Sequence, residues 1–189
     1  MRIIGGKFGG RTLNPPASLP VRPTTDYAKS GLFNILNNQI DFETLRVLDL
    51  FSGAGGISLE FASRGALSVT AIDVNFNCVK FLNETAAKLG IKELKCVRSD
   101  VFKFLKQNTS TYDLIFADPP FEQKETDQLP DLIFERNLLN PGGVLIVEHQ
   151  SKRELQSKIP VSVIRKYGNV GFSFYQASGT GDERPPHSH

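Results

Sequence analysis

A chain of 189 residues, 40% hydrophobic and 22% charged, has the size of one domain and the composition of a soluble globular protein. No run reaches the ~18 apolar residues of a membrane helix, and the opening Met-Arg-Ile-Ile-Gly-Gly lacks the apolar core of a secretory signal. A cytoplasmic protein without a membrane partner is expected. Two cysteines, Cys78 and Cys96, allow neither a disulfide framework nor a metal cluster. They read as buried apolar residues, and no metal is expected. The net charge of +2 is unevenly placed: residues 1–30 hold Arg2, Lys7, Arg11, Arg22 and Lys29 against Asp26 alone, a net +4. Charge of that sign in one segment suits a polyanion or, equally, a solvated arm.

In chain order, Arg2 to Gly6 and Gly9 to Leu13 read as a small hairpin about a glycine-rich middle. An extended stretch with Pro15, Pro16, Pro20 and Pro23 follows. Thr24 or Thr25 then caps a helix running to about Asn38. From Arg46 strands and helices alternate. Strands are expected at Val47–Phe51, Ser68–Asp73, Leu94–Val97, Tyr112–Ala117 and Val144–Glu148. Helices are expected at about Gly56–Arg64, Asn75–Leu89, 101–107 and 127–137. Such alternation implies right-handed crossovers and a mostly parallel, doubly wound α/β sheet. The last two runs, Val161–Tyr167 and Gly171–Gln176, are too close for a crossover and form an antiparallel hairpin. Residues 1–25 are thus a basic hairpin and extended arm, 26–178 the α/β domain, and 179–189 a tail without fixed structure.

Asp49-Leu50-Phe51-Ser52-Gly53-Ala54-Gly55-Gly56 lies where the first strand turns into the first helix. Its glycines let backbone amides approach a ligand. Asp73 ends the second strand, 20 residues after Gly53, a position from which a carboxylate can bind ribose hydroxyls. A dinucleotide reading competes, since Gly53-x-Gly55 also begins G-x-G-x-x-G. Position 58, however, is Ser, and Asp49 would face pyrophosphate charge. That carboxylate suits the cationic methionine end of S-adenosylmethionine instead. Asp100, after the third strand, is either an acceptor for adenine's amino group or an N-cap. Asp49, Phe51, Ser52, Gly53, Gly55, Asp73 and Asp100 are the candidate cofactor residues.

Asp118-Pro119-Pro120-Phe121 ends the fourth strand. The prolines fix φ and hold the chain extended, with Asp118 at the sheet's carboxyl edge. In an order 3-2-1-4-5, strands 1 and 4 are neighbours at the switch point, so Asp118 and the glycine turn would face one crevice. An aryl amine is a poor nucleophile. Asp118 and the Pro119 carbonyl can accept both its hydrogens, and Phe121 can stack on the base. A carboxylate about 4 Å from the developing cation would stabilise it by up to ~4 kcal/mol at an effective dielectric near 20. The base would have to be splayed out of its stack.

Arg2-Ile3-Ile4-Gly5-Gly6, Gly10-Arg11-x-Leu13, Arg22-Pro23-Thr24-Thr25-Asp26, Leu32-Phe33-Asn34, the 49–56 turn and Asp118–Phe121 stand in one order. In this the chain resembles the RsmD-type ribosomal RNA (guanine-N2) methyltransferases, from Arg2 to about Gln176. The resemblance implies a class I methyltransferase fold and methyl transfer from S-adenosylmethionine to a guanine N2 of bacterial 16S ribosomal RNA, free or in a small-subunit particle. It also implies a basic arm (Arg2, Arg11, Arg22 and Lys29) that holds the RNA; a monomer is expected. Where the family continues past Asp26 with Arg-x-Arg-Glu, this chain has Tyr27-Ala28-Lys29-Ser30, which keeps one charge but loses arginine's fork. The rivals are a methyltransferase of another planar amine, adenine N6 or protein glutamine, and an inert RNA-binding module.

Overall fold

The computed structural model describes residues 1–120 and 124–179; Phe121 and the tail from 180 onward lie outside the described residues. The elements run α1 (Asp26–Asn37), β1 (Arg46–Leu50), α2 (Gly56–Ser63), β2 (Ser68–Asp73), α3 (Phe76–Leu89), β3 (Leu94–Arg98), α4 (Val101–Gln107), β4 (Tyr112–Ala117), α5 (Leu129–Glu135), β5 (Leu139–Gln150), β6 (Val163–Tyr167) and β7 (Val170–Gln176). One seven-stranded sheet has the order β3-β2-β1-β4-β5-β7-β6. The five strands from β3 to β5 are parallel, and β7 returns antiparallel to both β5 and β6. This is the expected doubly wound sheet with its C-terminal hairpin.

Covering on both faces explains the near-continuous apolar runs of β1 and β4. Val47, Phe61, Phe116 and Phe172 pack with Phe33 of α1 on one side. Leu48, Leu105, Ile115, Ile133 and Tyr175 pack on the other. Helix α1 starts because the Thr25 hydroxyl accepts from the Ala28 amide, with Asp26 in its first turn. It buries Ala28, Leu32, Phe33 and Leu36 on one stripe. Helix α3 is capped by Asn75 and stopped by Gly90 at φ 70°.

Two of the boundaries that differ from expectation have a clear local cause. The helix expected over 127–137 is a 3-10 turn at Lys124–Gln128 followed by α5. Pro130 sits in the first turn of α5, where its missing N–H costs nothing, and Asn137 at φ 52° closes it. The fifth strand also starts earlier, at Leu139, because the Asn-Pro-Gly-Gly segment pairs with β4 through an irregular register.

The N-terminal hairpin is small. Ile3 N–H donates to Arg11 O at 2.9 Å, and Leu13 N–H to Met1 O at 2.7 Å. The hairpin is fastened to α2 by Glu60, fully buried, whose carboxylate accepts the amides of Ile4 and Gly5 at 2.9 Å each. Glu60 also pairs with Arg64 at 2.9 Å and with Lys29 at 3.7 Å. Gly6, at φ 76°, passes so close to α2 that a Cβ would stand 2.0 Å from the Ser63 carbonyl oxygen.

Lys29 corrects one expectation. Assigned above to the RNA-holding set, it is only 2% exposed, and its ammonium is held by Glu60 and the Arg2 carbonyl. Burial pushes its pKa down against the pull of Glu60. A charge so enclosed braces the arm against α1 and α2 and cannot reach a polyanion.

Candidate functional site: a cavity at the switch point

A cavity of about 1170 Å³ opens at the carboxyl ends of the parallel strands, where β1 and β4 lie side by side. Its wall is built from the 51–57 turn, the Asp73–Asn75 corner, the start of α4, Asp118 to Pro120, Glu148 and the arm residues Pro20 to Thr25. This is where an open α/β sheet binds its ligand, and the volume exceeds what one nucleoside-sized ligand needs.

The glycine turn is rigidly made. Phe51 is a non-glycine residue at φ 58°, and Gly53 and Gly55 lie at φ 55° and 91°. A Cβ at Gly55 would come within 2.3 Å of the Leu82 side chain on α3, so only glycine lets the turn pack there. Asp73 ties the turn to β2: one oxygen accepts the Gly53 amide at 2.8 Å and the other the Asn75 amide at 2.9 Å. Ser52 donates its amide to Ile72 O at 3.0 Å. Phe51 meets Phe102 of α4 edge-on at 6.3 Å, giving the cavity an aromatic corner.

Asp100 caps α4 by accepting the Lys103 amide at 2.9 Å, and it also lines the cavity. The capping reading thus holds, at a position on the cavity wall. Asp49 is buried in β1, with the Ser58 hydroxyl donating to it at 2.6 Å. Burial pushes its carboxyl up to about 7 against that hydrogen bond. Ser58, where a third glycine would stand, thus serves Asp49. No salt bridge to Asp49 occurs among the described residues.

Asp118 emerges from β4 into the cavity, with Pro119 buried behind it. Phe121, expected to stack on a base, lies outside the described residues. Strand pairing matches Ala117 with Val147, so the next residues along, Asp118 and Glu148, emerge together. Desolvation by burial first, and then the nearby Glu148 carboxyl, raise the Asp118 pKa well above its usual range. Thr24 Oγ1 donates to Glu148 at 3.0 and 3.3 Å.

Sequence reading missed Glu148 and gave Thr24 only a capping choice. The usable signal was the repetition of an acid at the carboxyl end of two consecutive parallel strands.

The arm brings Arg2 and Arg22 to the cavity wall. Arg2 is half-exposed and pairs with Asp26 at 3.4 Å. Arg11 is exposed and stacks over Phe8 at 5.4 Å, away from the cavity lining.

The sheet order, the antiparallel last strand and the ligand cavity over β1 and β4 define a class I methyltransferase fold. A family model described as conserved hypothetical protein 95 matches residues 1–176. The chain is 31% identical to ribosomal RNA small subunit methyltransferase D of Escherichia coli K12 over 186 residues, 96% of this chain and 92% of that protein. It is 32% identical to the putative rRNA methyltransferase YlbH of Bacillus subtilis, covering 95% of this chain and 100% of that one. The structure of the putative methyltransferase yhhF from Escherichia coli superposes with a TM-score of 0.82 at 28% identity, over 95% and 99% of the two chains. The chain belongs to this family, the RsmD family.

Proposed function

We propose that this methyltransferase moves the methyl group of S-adenosylmethionine to the exocyclic N2 of a guanine in bacterial 16S ribosomal RNA. The observation that carries the proposal is that Asp118 and the Asp49–Gly56 turn line one cavity whose wall also includes residues of the basic arm. The names of the relatives supply the substrate class.

The donor fits the residues present. Asp49 is a buried acid with one hydroxyl donor, Ser58, and its ionised form suits the donor's ammonium group. Val74, Val101 and Phe102 give an apolar wall beside Asp100, suited to adenine, and Asp73 lies where ribose hydroxyls would reach it. Bound there, the donor supplies an electrophilic methyl group on a positively charged sulfur.

The chain's own residues then act on the acceptor. Asp118 and the Pro119 carbonyl accept the amine hydrogens and aim the nitrogen lone pair at the methyl group. Phe121 stacks on the splayed-out base. The carboxyl pair of Asp118 and Glu148 supplies negative charge beside the nitrogen as it becomes cationic. Arg2, Arg11 and Arg22 hold phosphates, while the buried Lys29 does not.

Incubating the protein with donor and 16S ribosomal RNA, naked or in small-subunit particles, and digesting the product to nucleosides tests this. N2-methylguanosine is expected. N6-methyladenosine, or methylated protein alone, would replace the substrate assignment, and donor-independent RNA binding without product would favour an inert binding module.

A further inference from the structure

We infer that Glu148 is the terminal proton acceptor of the transfer, taking the amine's surplus proton through Asp118, and that the Thr24 hydroxyl positions it. The inference rests on the reading of Asp118 above.

The sheet itself creates the pair. Parallel β4 and β5 are registered at Ala117 and Val147, so Asp118 and Glu148 leave adjacent strands at the same level and line the same cavity. Burial first, and then the neighbouring Glu148 carboxyl, favour a proton on Asp118. Thr24 donates to both oxygens of Glu148, at 3.0 and 3.3 Å, and so holds that carboxyl in place at the level of Asp118. Thr24 belongs to the arm and lies 124 residues from Glu148 in sequence. The arm therefore meets the carboxyl at the reacting centre through this hydroxyl.

The step balances. The nitrogen lone pair forms the new C–N bond while the C–S bond breaks, its electrons going to sulfur. The nitrogen then carries one surplus proton. That proton passes to the Asp118 oxygen that already accepts the amine N–H, and the N–H electrons return to nitrogen. Asp118's own proton crosses to Glu148. The donor's positive charge and the pair's negative charge are discharged together, so no net charge is stranded in the buried site. The proton leaves later, from Glu148 to solvent.

Other groups face Glu148. Asp49 of β1 adds negative charge. His149, beside it on β5, turns its ring to Ser173 at 2.7 Å, and burial lowers its pKa. Arg22 and Lys152 line the same cavity.

Glu148→Gln keeps the shape but cannot take a proton. Asp118 must then accept the amine proton itself, which requires it ionised, and burial together with Asp49 still opposes that. Single-turnover rates, measured at saturating donor and RNA from about pH 5.5 to 9, decide the matter. The wild type should be flat near neutrality. Glu148→Gln should be about 10²-fold slower near pH 6 and recover as pH rises, with unchanged donor affinity and melting temperature.

Thr24→Val should move the acid-side fall in rate to higher pH, and Thr24→Ser should restore it. In donor-free protein, infrared titration should find a protonated carboxyl that persists through neutral pH and is lost in Asp118→Asn. If Glu148→Gln fails to fold, the Thr24 variants and the infrared titration carry the test alone. A folded Glu148→Gln with the wild-type rate and profile would overturn the inference. So would a uniform slowing with an unchanged profile, because that is what a purely structural Glu148 gives. If the wild type makes no N2-methylguanosine, the function reading fails. If it does and Glu148→Gln matches it, only the relay fails.

Discussion

Burial within β1 leaves Asp49 with one side-chain donor, the Ser58 hydroxyl at 2.6 Å, and a carboxyl that titrates at about 7. A raised acid pKa means that the folded protein keeps a proton which the unfolded chain releases above about 3.8. The stability this group contributes is complete below that value and is lost as pH rises through about 7. Donor-free protein should therefore melt at lower temperature above neutrality, and added donor should restore it. Donor affinity should run the opposite way, since the donor's ammonium group needs the ionised form. By calorimetry it should weaken by up to about tenfold per pH unit below 7 and level off above. Asp49→Asn should bind donor more weakly and lose this pH dependence; an Asn variant with wild-type affinity at pH 8 would remove Asp49 from the donor site. The carboxylate's place beside the cavity was legible in the sequence because it precedes a glycine turn. Its partner Ser58 was not, because a hydroxyl one helical turn past a glycine signals nothing until the strand and helix are packed together.

Among the elements, the arm departs most from a solvated basic tail. Ile3 and Phe8 are buried, and Glu60 on α2 grips its backbone. Helix α1 approaches β6 closely as well: a Cβ on Gly31 would sit 2.2 Å from Tyr167. The arm's charges consequently divide into two sets. Changing Arg2, Arg11 and Arg22 together to Ala should weaken RNA binding and flatten its dependence on log salt by about 0.7–0.9 per lost phosphate contact. Lys29→Ala should instead lower the melting temperature, because it removes one partner of a buried ion pair. Unchanged RNA affinity in a folded triple variant would reject the arm's role. Net charge by position foretold a basic segment, but only packing separates the buried Lys29 from its exposed neighbours. Helix α5 was blurred for a similar reason: its first turn is a 3-10 segment with no periodicity of its own.

At the scale of the whole molecule, alternating strands and helices placed the sheet order and hence the crevice over β1 and β4. Asp118 and the glycine turn were legible because each follows its strand directly. Glu148 was hidden, since its meaning comes from the alignment of β5 beside β4 and from an arm residue more than a hundred positions away. We propose that Asp118, at that crevice, drives transfer to the guanine amine. Single-turnover formation of N2-methylguanosine by Asp118→Ala, measured beside its melting temperature and donor affinity, tests this most directly. The rate should fall by roughly two to three decades, equivalent to ~3–4 kcal/mol, with donor affinity nearly unchanged. Asp118→Asn should fall less, because its carbonyl still accepts a hydrogen bond from the amine. A stable Asp118→Ala protein that methylates guanine at the wild-type rate would contradict the account.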